Sequence, residues 1–469
     1  MKLKWFKRVL CSCFLLLALL AVSSASEGAI HVTVAGAGNK SGDSWANAMD
    51  LDKFRAALEA GTKGEYWVAK GEYTPHDSDP DKSFVLKKNI ALYGGFAGDE
   101  TQRDERDWEA NVTILSGAIG GGWGSYHVVY AVGADDTAIL DGFAITAGKT
   151  DDDGGGMLIE NGSPTVTNCT FIGNKAGRGG GMSILNGNPR VTNCTFWENE
   201  ANTWGGGMFI ENGSPMVTDC TFSKNVGNTI GGGMLIRNGS STVTNCTFSE
   251  NVANLYGGGM YLNSGSSTVT NCTFSGNKAN TYSGGGAFIG SGSPTLMNCT
   301  FSENMAKDPG DGIYSHSKDG PTVTNTILWG SGSAVGQVFV EPGRTLKIIY
   351  SIVDTVIFPG EGNTDADPKL GPLADNGGPT QTCALLEGSS AIDSGTNTGA
   401  PSTDQRGVSR PQGLGYDIGA YEKEQAPVPP KPGSSGGGGC AADPFSPWAL
   451  ALFAPLAPLA WRRRPGTAL

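Results

Sequence analysis

Hydrophobic and polar positions through the middle of the chain follow one block that recurs about every 26 residues. Each block contains short β-type runs, such as Met157-Leu158-Ile159 and Thr165-Val166-Thr167, separated by Asn-Gly and Gly-Gly turns. The block has no room for a helix, and a four-stranded propeller blade needs roughly 40 residues or more. Three short strands and three turns per block therefore predict an all-β fold, a right-handed single-stranded parallel β-helix with about 26 residues in each coil.

Stacking of such coils explains which residues recur. Residues two apart on a strand point to the same side, so the repeated apolar positions are expected to face inward. The aliphatic ladder comprises Val166, Val191, Val217, Val243, Val269, Leu296 and Val323. The structural ladder of the next strand comprises Cys169, Cys194, Cys220, Cys246, Cys272, Cys299, Phe171, Phe196, Phe222, Phe248, Phe274 and Phe301.

The turns are expected to carry two further ladders. Triple glycines, first at 154–156, would supply positive φ at a tight corner. Stacked side chains at a second turn would satisfy buried backbone groups through their amides. Those side chains are Asn168, Asn193, Asp219, Asn245, Asn271, Asn298 and Asn325.

The cysteine ladder predicts buried free thiols. Six cysteines recur at the coil spacing, with no C-x-x-C pair and no partnering histidine. Zinc needs ligands that converge on one point, whereas a ladder places one thiol per coil along a line. We therefore expect the thiols to pack as small hydrophobic groups. Pairing between neighbouring coils stays open, because an oxidising compartment favours disulfides.

The N-terminal part, 27–150, is less regular and is expected to hold a cap and irregular coils. Asp50 can cap a short amphipathic helix that ends before Gly61 and covers the open end of the rod. Its apolar side consists of Leu51, Phe54, Ala57 and Leu58, and strand-like runs follow at 66–68, 90–92, 112–114, 128–130 and 138–140. With the regular repeats of 151–355, residues 30–355 would make about 12 coils, a rod roughly 60 Å long.

The start of the chain has the pattern of a secretory signal peptide. Residues 1–26 combine a basic start, an apolar core from Val9 to Val22, and the small residues Ser23-Ser24-Ala25. A membrane anchor is the alternative interpretation.

The end of the chain predicts a sorting or membrane segment. A Pro-rich and then Gly/Ser-rich linker, 423–439, precedes the segment 440–469. That segment contains Cys440, a short apolar stretch interrupted by prolines, and three arginines at 462–464. It resembles bacterial sorting signals of the GlyGly-CTERM and Synergist-CTERM type. The resemblance implies processing or attachment at Cys440 and display on the cell surface or outer membrane, with an ordinary membrane anchor as the alternative.

Two further resemblances concern the body of the protein. The Phe-x-x-Asn blocks, from 171–174 to 301–304, and the Gly-Gly-Gly-Met blocks resemble the repeats of polymorphic outer-membrane proteins, which are adhesin-like surface β-helices. The third repeat position is Gly where that family has Ala, and the chain has nothing long enough for an autotransporter barrel. The stretches 373–380, 403–407 and 417–422 resemble the choice-of-anchor Q module of secreted bacterial β-helix proteins. We expect 356–422 to cap the C-terminal end of the rod.

Composition and charge exclude several classes. The 469 residues include 45 acidic and 33 basic side chains, a net charge of −12, which does not match a nucleic-acid-binding protein. The 72 glycines lack the period of collagen. A hydrophobic share of 38% argues against wholesale disorder.

No catalytic residue can be assigned from the sequence. Polygalacturonase-like glycosidases of the pectin-lyase-like solenoid fold use Asn-Thr-Asp, Asp-Asp, Gly-His-Gly and Arg-x-Lys in that order. Here Asn363-Thr364-Asp365 follows the rod, and neither Gly-His-Gly nor Arg-x-Lys occurs. A polysaccharide-active enzyme, a lyase or a glycoside hydrolase, stays the alternative function, since acids distant in sequence can meet in the fold.

Two candidate sites remain. Asp151, Asp152 and Asp153 have the oxygen ligands that Ca²⁺ prefers, although such a run is typical of a solvated turn, and no other cofactor is indicated. The residues before or beside the triple glycines form a stripe whose aromatic faces can stack on sugars, or can shield the corner. The stripe comprises Trp204, Ile230, Tyr256 and Tyr282. We therefore expect a monomeric, surface-anchored rod, adhesin-like or structural, that binds an extracellular glycan or surface protein.

Overall fold

Parallel sheets wrap around one hydrophobic core in this computed structural model, which describes residues 28–120, 124–330, 336–354 and 357–425. Each coil passes in turn through three long sheets, which are named C, A and B. In the described part of the chain, sheet A holds twelve strands: Ile30–Val32, Gly64–Ala69, Ile90–Phe96, Ile139–Asp141, Thr165–Thr167, Arg190–Thr192, Met216–Thr218, Thr242–Thr244, Thr268–Thr270, Thr295–Met297, Thr322–Thr324 and Lys347–Ile349. The predicted parallel β-helix is confirmed.

The other two long sheets are parallel as well. Sheet B comprises Gly71–Tyr73, Thr113–Ser116, Phe143–Thr146, Thr170–Ile172, Thr195–Trp197, Thr221–Ser223, Thr247–Ser249, Thr273–Ser275, Thr300–Ser302, Ile327–Trp329 and Ile352–Val353. Sheet C comprises Phe84–Leu86, Val129–Val132, Met157–Glu160, Met182–Leu185, Met208–Glu211, Met234–Ile236, Met260–Leu262, Ala287–Ile289, Ile313–Ser315 and Val338–Val340.

The coils contain one strand more than the three that the repeat predicts. A short sheet D lies between sheets B and C, and it comprises Lys175–Arg178, Glu200–Trp204, Val226–Gly227, Val252–Ala253, Lys278–Ala279 and Met305–Ala306. Most of these strands have only two residues, which is too short to show an apolar alternation in sequence. An antiparallel hairpin, Leu370–Ala374 with Thr382–Leu385, lies outside the coils.

Repeated residues stack in register, as predicted for the inward ladders. Val166 pairs with Val191, and Phe171 pairs with Phe196. The phenylalanine rings from Phe171 to Phe301 stack with centroids 4.4 to 4.8 Å apart. The six ladder cysteines are buried free thiols, and each Sγ contacts backbone carbonyls, as Cys169 does at Thr167 O (3.1 Å). Close-packed apolar ladders thus form the interior of the rod.

The predicted asparagine ladder satisfies backbone groups only in its C-terminal half, and a second ladder does so along the whole repeat. Asn168 and its equivalents have positive φ, and the earlier members bond to one another, as Asn193 Nδ2 does to Asn168 Oδ1 (2.7 Å). The later members Asn271, Asn298 and Asn325 also bond to backbone groups of the C-terminal module. The fully buried ladder consists of Asn174, Asn199, Asn225, Asn251, Asn277 and Asn304. Each of these side chains bonds both to backbone and to an asparagine of a neighbouring coil, so this ladder satisfies the buried polar groups of the corner between sheets B and D.

Glycine is required in each triple for two different physical reasons. The first glycine of each triple has positive φ, 68° at Gly154, as predicted. The second and third glycines are required because neighbouring coils approach closely. A Cβ on Gly181 would lie 2.6 Å from Gly207 O and 2.9 Å from the Phe196 ring.

The predicted N-terminal helix is confirmed as α1, Leu51–Ala60. Asp50 caps it by accepting a hydrogen bond from the Lys53 N–H, and Gly61 ends it with a φ of 72°. Phe54 and Leu58 are buried against the first coils. Short 3₁₀ turns lie at Trp45–Asn47 and Arg103–Glu105.

The expected cap at the C-terminal end is instead mostly a cover on one flank. Residues 357–364 pack over the last coil, where Phe358 contacts the core. The rest of the module runs back along the outer face of sheet B and bonds to three successive coils. The bonds join Thr247 Oγ1 to Gln381 O (2.6 Å), Thr273 Oγ1 to Gln405 Oε1 (2.7 Å) and Ala420 N to Thr300 Oγ1 (3.0 Å).

The predicted signal peptide, 1–26, and the sorting segment with Cys440 lie outside the described residues, as does most of the linker, 423–439. No helix among the described residues is long and apolar enough to cross a membrane.

Candidate functional site

The stripe that the sequence predicted is a continuous line on the surface of the rod. Trp204 pairs with Ile230, and Ile230 pairs with Tyr256, on three successive coils. The Tyr282 ring stacks on Tyr256 with centroids 5.1 Å apart and an interplanar angle of 14°. These four residues are called the aromatic strip below. Tyr282 is 41% exposed and the other three are half-buried, so the strip presents ring faces and edges to solvent.

A second row of aromatic side chains, missed by the sequence reasoning, lies beside the strip. It lies on the outer face of sheet C, at the positions after Met260, Ala287 and Ile313. Phe288 stacks on Tyr261 (4.9 Å between centroids) and on Tyr314 (5.1 Å). The Tyr256 ring packs on Phe288 at 4.6 Å. Tyr256 of the strip therefore covers part of this row, whereas Tyr282 stays exposed.

The N-terminal end of the strip carries a charged cluster. The Arg178 guanidinium lies between Asp153 (2.6 Å) and Glu211 (3.2 Å), and Glu211 also contacts Arg237 (2.7 Å). Arg237 lies over the Trp204 ring, 5.1 Å from its centroid. The cluster thus places two carboxylates, two guanidinium groups and an indole within one contact network. Because these charges are partly buried, they interact more strongly than exposed surface pairs do.

Asp153 is the most unusual group of this cluster. It is buried, and burial raises the pKa of its carboxyl above the ordinary value, while the bond to Arg178 opposes that shift. Its Oδ1 has no hydrogen-bond partner among the described residues, whereas Oδ2 is bound to Arg178. A buried carboxyl group with a raised pKa, in a cluster of mixed charge, is of the kind that is common at functional sites.

The predicted calcium run is divided between two environments. Asp151 and Asp152 are exposed, whereas Asp153 turns inward to Arg178. Across the described ranges, no three His, Cys, Asp or Glu side chains group as metal ligands would. The expectation of Ca²⁺ at Asp151–Asp153 therefore rests on the sequence alone.

A second cluster of polar side chains lies farther along the same face. Arg344 contacts His316 Nε2 at 3.0 Å, and His316 Nδ1 contacts the Glu341 carboxylate. Because Arg344 can only donate, Nε2 accepts, and Nδ1 carries the proton toward Glu341. The Tyr314 hydroxyl donates to Glu341 as well. This face of the rod therefore presents aromatic rings with a cluster of polar side chains at each end of the row.

Comparison with known proteins bears on the fold. A family model described as "Right handed beta helix region" matches residues 125–248 and 228–354. The crystal structure of pectate lyase Pel9A is similar with a TM-score of 0.54 at 17% identity, over 85% of this chain and 97% of that chain. Similarity at this identity shows the fold alone. No curated protein gave a significant match to the sequence.

The chain is therefore a right-handed parallel β-helix protein of the pectin-lyase-like fold, as its repeat predicted. The fold leaves open whether such a rod binds or cleaves its ligand, because this architecture serves unrelated functions.

Proposed function

We propose that this protein is a secreted rod, held at the cell surface, that binds glycan or protein partners along its stiff repeat face in an adhesin-like or structural role. The aromatic strip supports this proposal, since Trp204, Tyr256 and Tyr282 present ring surfaces in one line on a rigid scaffold. Ring faces stack on the apolar faces of sugars. The charged cluster beside Trp204 adds hydrogen-bonding groups that fix the orientation of a ligand.

The physical basis of affinity would be repetition. A single aromatic contact contributes about 0.5–1.5 kcal/mol, which is too little for stable attachment. Several contacts at fixed coil spacing on one rod act at a high effective concentration, so their contributions combine. The rod needs no resident cofactor, no nucleic acid and no second copy for this role.

Export and attachment belong to the same proposal. The pattern of 1–26 supports secretion, and the resemblance of 440–469 to sorting signals supports processing or attachment at Cys440. The protein would then contact the membrane only through its tail. Surface display would place the strip where extracellular partners can reach it.

Glycan retention by the full-length protein tests the binding proposal. The protein is incubated with a polysaccharide panel, with and without Ca²⁺, and both retained glycan and released products are measured by mass spectrometry. The double variant Trp204→Ala/Tyr256→Ala is expected to weaken retention roughly tenfold or more. Met216→Ala, which removes a side chain that is 40% exposed on sheet A, serves as the control and should retain glycan normally. Equal retention by both variants would refute the role of the strip.

A polysaccharide-active enzyme is the second candidate, and Asp153 is the observation that favours it. Two carboxylates, Asp153 and Glu211, bind the same Arg178, and the pKa of Asp153 is raised by burial, as a general acid requires. Released oligosaccharides in the same experiment, abolished by Asp153→Asn, would establish the enzyme. Retention without release would exclude this role for the panel tested.

A further inference from the structure

A groove of about 970 Å³ lies on sheet B, away from the aromatic strip, which lies where sheet D leads into sheet C. Each strand of sheet B projects two side chains outward, and across successive coils these side chains form two rows. The C-terminal module covers the row that contains Thr247 and Thr273, through bonds to Gln381 and Gln405. The second row forms the floor of the groove. On this floor Trp197 is exposed, Ser223, Ser275 and Trp329 are half-buried, and Ser249 and Ser302 are buried.

The floor is a row of hydroxyl groups between two indoles. It comprises, on successive coils, Trp197, Ser223, Ser249, Ser275, Ser302 and Trp329. Successive coils are about 4.8 Å apart, so the two tryptophans lie roughly 24 Å from each other. Ser249 Oγ donates to Ser223 Oγ at 3.0 Å, which shows how closely neighbouring hydroxyls approach. The repeat of this floor is close to the length of one sugar residue in an extended polysaccharide.

The walls of the groove carry balanced charge. Lys224, Glu250 and Glu303 line one side, and Asp367 and Lys369 of the module line the other. Three acidic and two basic side chains along the groove give no large field of one sign. A strongly anionic or cationic polymer would therefore gain little electrostatic attraction here.

The module wall is also a poor template for a peptide strand. The wall strand, Leu370–Ala374, contains Pro372, which has no N–H to donate to an added strand. Proline on a strand edge prevents pairing with another chain.

We propose that this groove binds a neutral polysaccharide chain along the axis of the rod, at a site separate from the aromatic strip. The two indoles are the stacking platforms at its ends, and the half-buried hydroxyls of Ser223 and Ser275 bond to the sugar hydroxyls between them. The C-terminal module completes the site, because it supplies one wall. This proposal does not depend on binding at the strip, since the two sites share no residue.

Calorimetric titration of the full-length protein tests it. The probes are neutral hexasaccharides of β-1,4-linked glucose, xylose and mannose, with hexagalacturonate as the acidic comparison. Ser275→Arg places a long side chain across the middle of the floor, and Thr268→Arg places the same side chain on the exposed face of sheet A in the same coil. Ser275→Arg should abolish binding of at least one neutral hexasaccharide, while Thr268→Arg leaves it unchanged.

Trp197→Ala provides a second measurement in case Ser275→Arg fails to fold. The Trp197 ring is 36% exposed, so its loss should spare the core and weaken binding roughly tenfold. Absence of binding by all neutral probes would overturn the proposal. So would binding that Trp204→Ala/Tyr256→Ala removes and Ser275→Arg does not, tighter binding of hexagalacturonate, or occupation of the groove by a peptide.

Discussion

The buried asparagine ladder makes Asn225→Ala the most informative perturbation of the rod. The Asn225 side chain is fully buried and makes four hydrogen bonds. Its Oδ1 accepts from the backbone N–H of Asn199 (3.1 Å) and from Asn199 Nδ2 (3.0 Å). Its Nδ2 donates to Phe196 O (2.9 Å) and to Asn251 Oδ1 (2.9 Å). Alanine removes all four bonds and leaves their partners buried.

The expected decrease in the free energy of unfolding follows from these four hydrogen bonds. Each buried hydrogen bond contributes about 1 kcal/mol net, and a buried group left without a partner costs about 1–3 kcal/mol. Asn225→Ala should therefore lower the free energy of unfolding by about 4 kcal/mol. A whole domain is stable by only about 5–15 kcal/mol, so a change of this size is readily measured.

Urea unfolding of the full-length protein, followed by circular dichroism, measures the loss. The matched control is Asn193→Gly, which removes an exposed ladder amide but keeps the backbone at its φ of 50°. The control should cost less than about 1 kcal/mol, since it deletes one exposed bond to Asn168. If Asn225→Ala costs no more than Asn193→Gly, the argument that buried amides hold the corner is refuted.

Three further changes test other parts of the argument. Gly181→Ala should destabilise the protein by about 2 kcal/mol more than Gly371→Ala in urea unfolding, because a Cβ meets Gly207 O at 2.6 Å in the first case and only ordinary contacts at 3.5 Å or more in the second; equal effects would contradict the close-approach explanation. Burial raises the pKa of Asp417 from 3.8 to about 6, so its contribution to stability is full below pH 3.8 and falls as the pH rises through 6, by roughly 3 kcal/mol in all. Asp417→Asn should flatten that part of the pH–stability curve, and an unchanged slope would count against the assignment. Deletion of 440–469 should release the protein from cells into the medium, as fractionation would show, with Cys440→Ala separating processing at that residue from simple anchoring.

Most of the β-helix could be predicted because its causes repeat in the sequence. An inward Val, Cys or Phe recurs once per coil, so one correct interpretation of a single block extends to all of them. The helix α1 could be predicted for a different reason, since Asp50 and Gly61 are local signals that need no tertiary context. The confirmed part of the prediction is thus the part that depends on period and on capping.

The parts that were missed depend on contacts that the period does not specify. The sequence shows two asparagines in each block, and only packing decides that Asn174 is buried while Asn193 is exposed. Arg178 reaches Asp153 and Glu211 only because stacking brings consecutive coils together. The docking of the module on sheet B depends on Thr247 and its equivalents, which in sequence are ordinary outward strand residues.

The distribution of chemistry over the coil explains why function was harder to predict than fold. Positions that hold the coils together are nearly constant, because each must match its neighbours above and below. The position before each triple glycine varies from Arg178 through Trp204 and Ile230 to Tyr256, although the backbone there repeats in register. Because the residue type varies while the backbone geometry stays the same, the fold does not determine these side chains. A repeat rod is therefore expected to place binding residues at such variable outward positions. The aromatic strip and the two tryptophans that end the groove floor are residues of this kind, whereas the serines between those tryptophans repeat from coil to coil.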